Sequence, residues 1–370
     1  MKNENNNGNM EIEESSPIFK EKYPYKTNNI SKEDIEGCET SKSVFRLSTK
    51  KETSKSFSEL NSSLATNYSN NSKNTGESMN QSSDSISDTN FINNSTKKVK
   101  SLFKFESSNL NNLSEYYDEI YLNLLLDEHY GKNSIKIDYM NQQNDINDKM
   151  RAILVDWLIE VHYRYHFKRK TLLQTIMLID LYLSKKSISK IKFQLLGIAS
   201  LFISCKENEI YYPGAKEFIN MTDNAYTKHE LLKMEANVLN ILNFEILSSS
   251  ADEFYNILSK WFDFNKEQKF LGEYFIDSSL VIYDMLKYRP SIIALACAYI
   301  VMKFYGIKKY KDLYSFDIVM KDSQEKEIKE CARELCYLVK NLSNSSLTAT
   351  KEKYSSEKFG KVAYLCEEKK

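Results

Sequence analysis

From Leu113 onward, apolar residues recur at spacings of three and four in segments divided by short polar breaks, the period of a helix buried along one face. The segments run over 113–129, 148–166, 170–184, 188–207, 213–221, 226–242, 250–263, 266–287, 289–305, 309–317 and 323–341. No stretch alternates as a half-buried strand does, so the pattern predicts an all-α fold. After the first helix the rest fall into two groups of five. In the third helix of each group small residues interrupt a bulky run: Gly197, Ala199, Ser200 and Ser204 in one, Ala294, Ala296, Cys297 and Ala298 in the other. Small residues let neighbouring helices approach closely, so each is predicted to be the centre of its bundle. The two runs lie about 97 residues apart, as in a tandem repeat of one domain.

The densest apolar stretch, Ile153 to Val161, follows a polar linker from Tyr139 to Asn147. Asp145 and Asn147 are good N-cap residues there. The apolar positions are too close together for a half-exposed helix, so this one is predicted to be central to a core. Arg151 and Asp156 lie inside it, and charges in such a place are tolerated only when paired.

Composition divides the chain before any of this helical pattern begins. Residues 1–112 are crowded with Asn, Ser, Lys, Glu and Thr, with apolar residues scattered singly. That offers too little burial to offset the entropy of ordering, and predicts a disordered tail. The expected domains are therefore this tail, a first helical fold with its preceding helix over 113–247, and a second fold with an extension over 248–365. Lys and Arg number 51, Asp and Glu 51, so no global field draws the chain to nucleic acid or an anionic membrane. The six cysteines form no CxxC pair and sit mostly in apolar helical patterns, as reduced intracellular thiols do. The first residues hold no apolar leader, and the most apolar run, Ile292 to Met302, falls short of the ~20 residues that span a bilayer. The expectation is a soluble protein of the nucleus and cytoplasm.

The run Met150-Arg151-Ala152-Ile153-Leu154 through Trp157-Leu158 resembles the opening of the cyclin box in mitotic cyclins of the A and B types. The resemblance continues through Ile179-Asp180-Leu181-Tyr182-Leu183-Ser184, Phe193-Gln194-Leu195-Leu196-Gly197, Ser204-Cys205-Lys206-Glu207, and Thr222-Asp223-Asn224-Ala225-Tyr226-Thr227-Lys228-His229-Glu230. Met234-Glu235 and Leu242-Asn243-Phe244-Glu245-Ile246 follow at the family spacing. The segment from Thr222 to Glu230 is more similar to B-type than to A-type cyclins. Residues 351–363 match the extension that closes the second box. The resemblance implies two tandem five-helix cyclin folds and a regulatory subunit that does no chemistry. Such a subunit binds a cyclin-dependent protein kinase and favours the conformer in which a helix-borne Glu pairs with the ATP-site Lys.

Carried over residue by residue, the resemblance implies a kinase-binding surface of Lys206 and Glu235, with apolar contact from Ile203, Leu239, Phe244 and Ile246, and Ile120 on the preceding helix. It also implies a groove that docks substrate and inhibitor peptides through a basic residue and a spaced leucine. Met150, Ile153, Leu154, Trp157, Gln194 and Met221 match that groove, with Trp157 its expected anchor and Glu160 and Asp223 placed for the basic residue. Arg151, Asp156 and Asp180 are implied to be structural, the arginine buried among acidic and backbone partners.

No phosphate-binding glycine loop, kinase catalytic motif, HExxH or nucleophile elbow occurs. His162 and His166 stand four apart, as metal ligands can on a helix, but no third ligand is evident and no metal or cofactor is expected. Lys206-Glu207-Asn208 spells a KEN-type degradation signal inside the predicted fold and is read as coincidence. In the tail, Thr49 stands where a destruction box begun at Arg46 would need leucine, and Ser16-Pro17 is the single proline-directed site. Two other readings of a tandem cyclin fold stay open: a cyclin of a transcriptional kinase, and a transcription factor or scaffold. The expected nucleic-acid-free, membrane-free partnership with a kinase at the G2/M transition stands against both.

Overall fold

The computed structural model describes residues 116–131, 135–309, 324–342 and 345–368. The tail expected over 1–112, with Ser16 and Arg46, lies outside these residues, as does all of the helix expected over 309–317 but its first position. The described residues are helical, without strands: α1 (Tyr117–Tyr130), α2 (Asp148–Arg164), α3 (Arg169–Lys185), α4 (Lys190–Asn208), α5 (Ala215–Asn220), α6 (Lys228–Ile241), α7 (Ala251–Trp261), α8 (Lys266–Val281), α9 (Pro290–Phe304), α10 (Gln324–Leu342), α11 (Ala349–Tyr354) and α12 (Val362–Glu368).

Local chemistry sets several boundaries. The Asn147 side chain accepts from the Met150 amide at 3.0 Å, so Asn147 rather than Asp145 caps α2. Thr227 with Glu230, Ser250 with Glu253, and Asn265 with Gln268 form reciprocal capping boxes on α6, α7 and α8. The helix expected over 266–287 stops at Val281, and a 3-10 turn follows over Tyr283–Lys287. Ser278 and Ser279 donate back to the Tyr274 and Ile276 carbonyls, at 2.8 and 2.6 Å, which competes with the regular ladder at that end.

The small-residue helices are the centres of their bundles. α4 packs against α2, α3, α5 and α6, and α9 packs against α7, α8 and α10. Gly197 is the point of closest approach in the first fold: a Cβ there would lie 2.8 Å from Leu154 Cδ1. Gly272 plays the same part in the second, where a Cβ would meet the Tyr255 ring at 2.0 Å.

Helix α1 precedes the first fold in sequence but packs on the second. It buries Tyr121 and Leu125 in the second core beside Phe254 and Trp261. The Tyr121 ring lies 5.3 Å from that of Phe254 and 5.0 Å from that of Trp261. Asp127 of α1 accepts from the Ser249 amide and hydroxyl at 2.9 and 2.7 Å, and Glu128 holds the Ser291 amide and hydroxyl at 2.8 and 2.6 Å. The helix thus ties the linker between the folds to the start of α9. Among the described residues no helix is long and apolar enough to cross a membrane.

Candidate kinase-facing surface

Lys206 ends the buried course of α4 and Glu235 lies on α6, and the two side chains form an ion pair. The Lys206 ammonium also sits 3.9 Å from the centre of the Phe202 ring. The lysine side chain is 36% exposed and the glutamate 12%, so the pair stands at the rim of an apolar core, with its cation toward solvent. Beyond α6 the chain turns through Asn243 and Phe244 with φ of 52° and 59°. A phenylalanine in that region stores strain, and its ring is 67% exposed.

The segment then runs past Ile246 into a groove of about 410 Å3 lined by Ile120, Lys170, Gln174, Ile246, Leu247 and Glu253, among others. Gln174 joins this groove to the lysine end of α4. Its amide nitrogen donates to the Ile246 carbonyl at 3.0 Å, and its oxygen accepts from Asn208, the last residue of α4. Of the predicted kinase-binding residues, the structure therefore pairs Lys206 with Glu235, places Ile120 and Ile246 in one groove, and exposes Phe244. Leu239 is half-buried, and Ile203 belongs to the first core. Lys170, Leu247 and Glu253 carried no signal by spacing. Gln174 did, as a polar residue inside the apolar run of α3.

The residues expected to line a docking groove are placed less openly than that expectation implies. Trp157 is only 2% exposed and Leu154 is fully buried, so Trp157 does not project into an open slot. The cause is the density already visible in sequence: α2 buries residues on every side, and the first core closes around it. Met150, Ile153 and Met221 lie at the edge of burial, Glu160 is half-buried and paired with Arg164 at 2.6 Å, and Asp223 is exposed with φ of 52°. Gln194 is buried, and neither its amide oxygen nor its nitrogen has a partner among the described residues.

The residues read as structural are deeply satisfied. Arg151 donates Nε and Nη2 to the two oxygens of Asp180, each at 2.7 Å, and Nη1 to the Leu280 carbonyl at 2.9 Å. The Tyr139 hydroxyl adds a 2.7 Å bond to Asp180. Burial opposes the arginine's charge, but Asp180 outweighs it and holds the guanidinium above its ordinary range; burial and then Asp180 push the Tyr139 phenol up. Asp156 accepts from the Ala349 amide at 3.0 Å, tying α2 to the C-terminal extension.

His162 and His166 do not converge. His162 is buried in α2, whereas His166 is exposed beyond its end with φ of 57°. No group of three or more potential metal ligands occurs among the described residues.

Residues 119–247 match the family model of the cyclin N-terminal domain, and residues 250–368 match that of the cyclin C-terminal domain. The chain belongs to the cyclin family. This cyclin is 34% identical over 250 residues to Cyclin-B2-1 of Arabidopsis thaliana, covering 67% of the present chain and 57% of the relative. It is 35% identical over 267 residues to the G2/mitotic-specific cyclin-B of Spisula solidissima, covering 72% and 61%. The cyclin thus spans about three-fifths of the length of these curated relatives. Among solved structures, a viral cyclin from herpesvirus saimiri aligns with a TM-score of 0.52 at 15% identity, over 59% of this cyclin and 97% of the viral chain, a likeness of fold.

Proposed function

We propose that this cyclin is a non-catalytic regulatory subunit that binds and activates a cyclin-dependent protein kinase at the G2/M transition, in nucleus and cytoplasm. The observation that carries the reading is the Lys206–Glu235 pair, set at a core rim and linked through Asn208 and Gln174 to the groove of Ile120 and Ile246. A rigid surface of this kind, offering one exposed cation beside apolar residues, can bind one conformer of a kinase better than another and so shift its population. The name of the Spisula relative, a G2/mitotic-specific cyclin-B, favours a cell-cycle kinase over a transcriptional one.

Substrate docking is the second half of the proposal. The unpartnered amide of Gln194 is costly to keep buried, and the main chain of an extended peptide has the donor and acceptor that would satisfy it. Met150, Ile153 and Met221 supply the apolar edge, and Glu160 and Asp223 the acidic rim for a basic residue; Trp157 would have to turn outward to serve as an anchor.

The test is a pull-down from the source cell with residues 113–370, assayed for histone-type kinase activity beside a Lys206→Glu variant. Activity recovered by wild type and lost in the variant is expected. Absence of kinase from both, with both folded by circular dichroism, would overturn the reading. Gln194→Ala should keep basal kinase activity and lose preference for substrates carrying a basic-x-Leu motif.

A further inference from the structure

Beneath the groove lies a buried ionic cluster drawn from both folds and the C-terminal extension. Arg169, the first residue of α3, pairs through Nε with Asp252 of α7 and through Nη1 with Asp277 of α8 at 2.6 Å. The same Nη1 donates to the Tyr354 hydroxyl at 2.8 Å, and Nη2 to the Glu273 carbonyl at 3.3 Å. Lys353 of α11 reaches the other oxygen of Asp277 at 2.7 Å, and the Tyr354 hydroxyl donates to it at 2.9 Å. Asp277 and Lys353 are almost wholly shielded from solvent, and Arg169 nearly so.

Apolar side chains of similar volume would stabilise such a site at least as well, so the cluster's distinctive property is direction: fixed bonds at fixed angles. Those bonds bear on the groove. Arg169 and Asp252 each stand next to a groove residue, Lys170 and Glu253, and these two are themselves paired at 3.3 Å. The starts of α3 and α7 are thereby clamped together, and the next turns of α3, with Leu173, Gln174 and Met177, form the groove's wall. At its other end the cluster is closed by α11, which Asp156 also anchors through the Ala349 amide.

We infer that Arg169, Asp252, Asp277, Lys353 and Tyr354 are positioning residues that couple the seating of the C-terminal extension to the shape of the groove, and so to the affinity for its partner. This rests on the reading of the groove as the kinase-facing surface. None of the five lines the groove, so they act through Lys170, Glu253 and the start of α3.

The experiment compares full-length wild type, Arg169→Met and Arg169→Lys for affinity to the kinase recovered in the pull-down, together with amide hydrogen exchange. Arg169→Met is expected to retain helical circular dichroism and a cooperative melt, to bind about tenfold more weakly, and to exchange faster over 246–253 than elsewhere; Arg169→Lys, which keeps the charge without the planar fork, should recover only part of the affinity. Wild-type affinity in a folded Arg169→Met, or faster exchange spread evenly over the chain, overturns the inference. Should Arg169→Met fail to fold, wild type alone decides: kinase binding is expected to slow exchange at 349–355, across the cluster from the groove. A wild-type chain that captures kinase without that change overturns the inference only. One that captures no kinase overturns the reading of the groove and this inference with it.

Discussion

Arg151 pairs with Asp180 on the neighbouring helix, through two parallel bonds of 2.7 Å, and not with Asp156 in its own. The guanidinium is buried, and its third bond runs to the Leu280 carbonyl of the second fold. Removing one member of such a pair strands the other's charge. Arg151→Met or Asp180→Asn is therefore expected to cost ~3–5 kcal/mol in urea unfolding. The double variant Arg151→Met/Asp180→Asn should cost clearly less than the sum of the singles. Additive losses would mean the two residues are not coupled as described.

Lys206 and Glu235 should behave in the opposite way. The lysine is partly in water, so losing the pair is expected to change stability by under ~1 kcal/mol. Kinase affinity should fall by about tenfold, or ~1.4 kcal/mol, in Lys206→Ala. The charge reversal Lys206→Glu/Glu235→Lys restores an intrachain pair while inverting the face shown to the kinase. It should leave binding impaired, and a reversal that recovered full affinity would reduce the pair to an internal bridge.

Trp157 is expected to act first on stability. Its burial predicts that Trp157→Ala costs ~3–5 kcal/mol through lost packing and a residual cavity, whereas Trp157→Phe should cost much less. Chemical denaturation of the two variants decides this, and a Trp157→Ala protein as stable as wild type would place the ring at the surface after all.

His162 makes stability depend on pH. In the unfolded chain its imidazole titrates near 6.5, whereas in the fold burial, with Lys353 adding to it, holds it down to about 3. Arg169 also opposes its charge, and Asp277 favours it. The unfolded state accordingly takes up the proton first. The contribution is complete above about pH 6.5 and is lost as pH falls from there toward about 3. By linkage, unfolding free energy should drop by about 2 kcal/mol between roughly pH 7 and pH 5 from this group. Urea titrations should show that slope in wild type and its loss in His162→Gln.

The sequence made the helices legible wherever periodic burial built them. Helices α2, α3, α4, α6, α7, α9 and α10 lie within about two residues of their expected limits, within the usual spread of such boundaries. It was less informative where tertiary bonds replace periodicity. Helices α11 and α12 lie in a polar stretch that resemblance marked as the extension but no apolar spacing marked as helix; α11 is held by Asp156 at its first residue and by Asp277 near its end. The Arg169 cluster was invisible for the same reason, since Arg169 and Tyr354 stand 185 positions apart. For the surfaces, resemblance named Lys206, Glu235 and Trp157 alike. Only the packing of α2 showed which of these faces water.

Helix α1 leaves the ribosome long before the residues it binds. Ser249, the partner of Asp127, comes 122 positions after it, and Tyr121 waits longer still for Phe254 and Trp261. At about 5–20 residues per second, synthesis leaves this helix without its docking face for roughly ten seconds. The first fold can gather its own core in that interval, with Tyr121 and Leu125 still uncovered. The nascent chain therefore passes through an obligatory stage in which its earliest described helix is an apolar ligand awaiting a receptor not yet made.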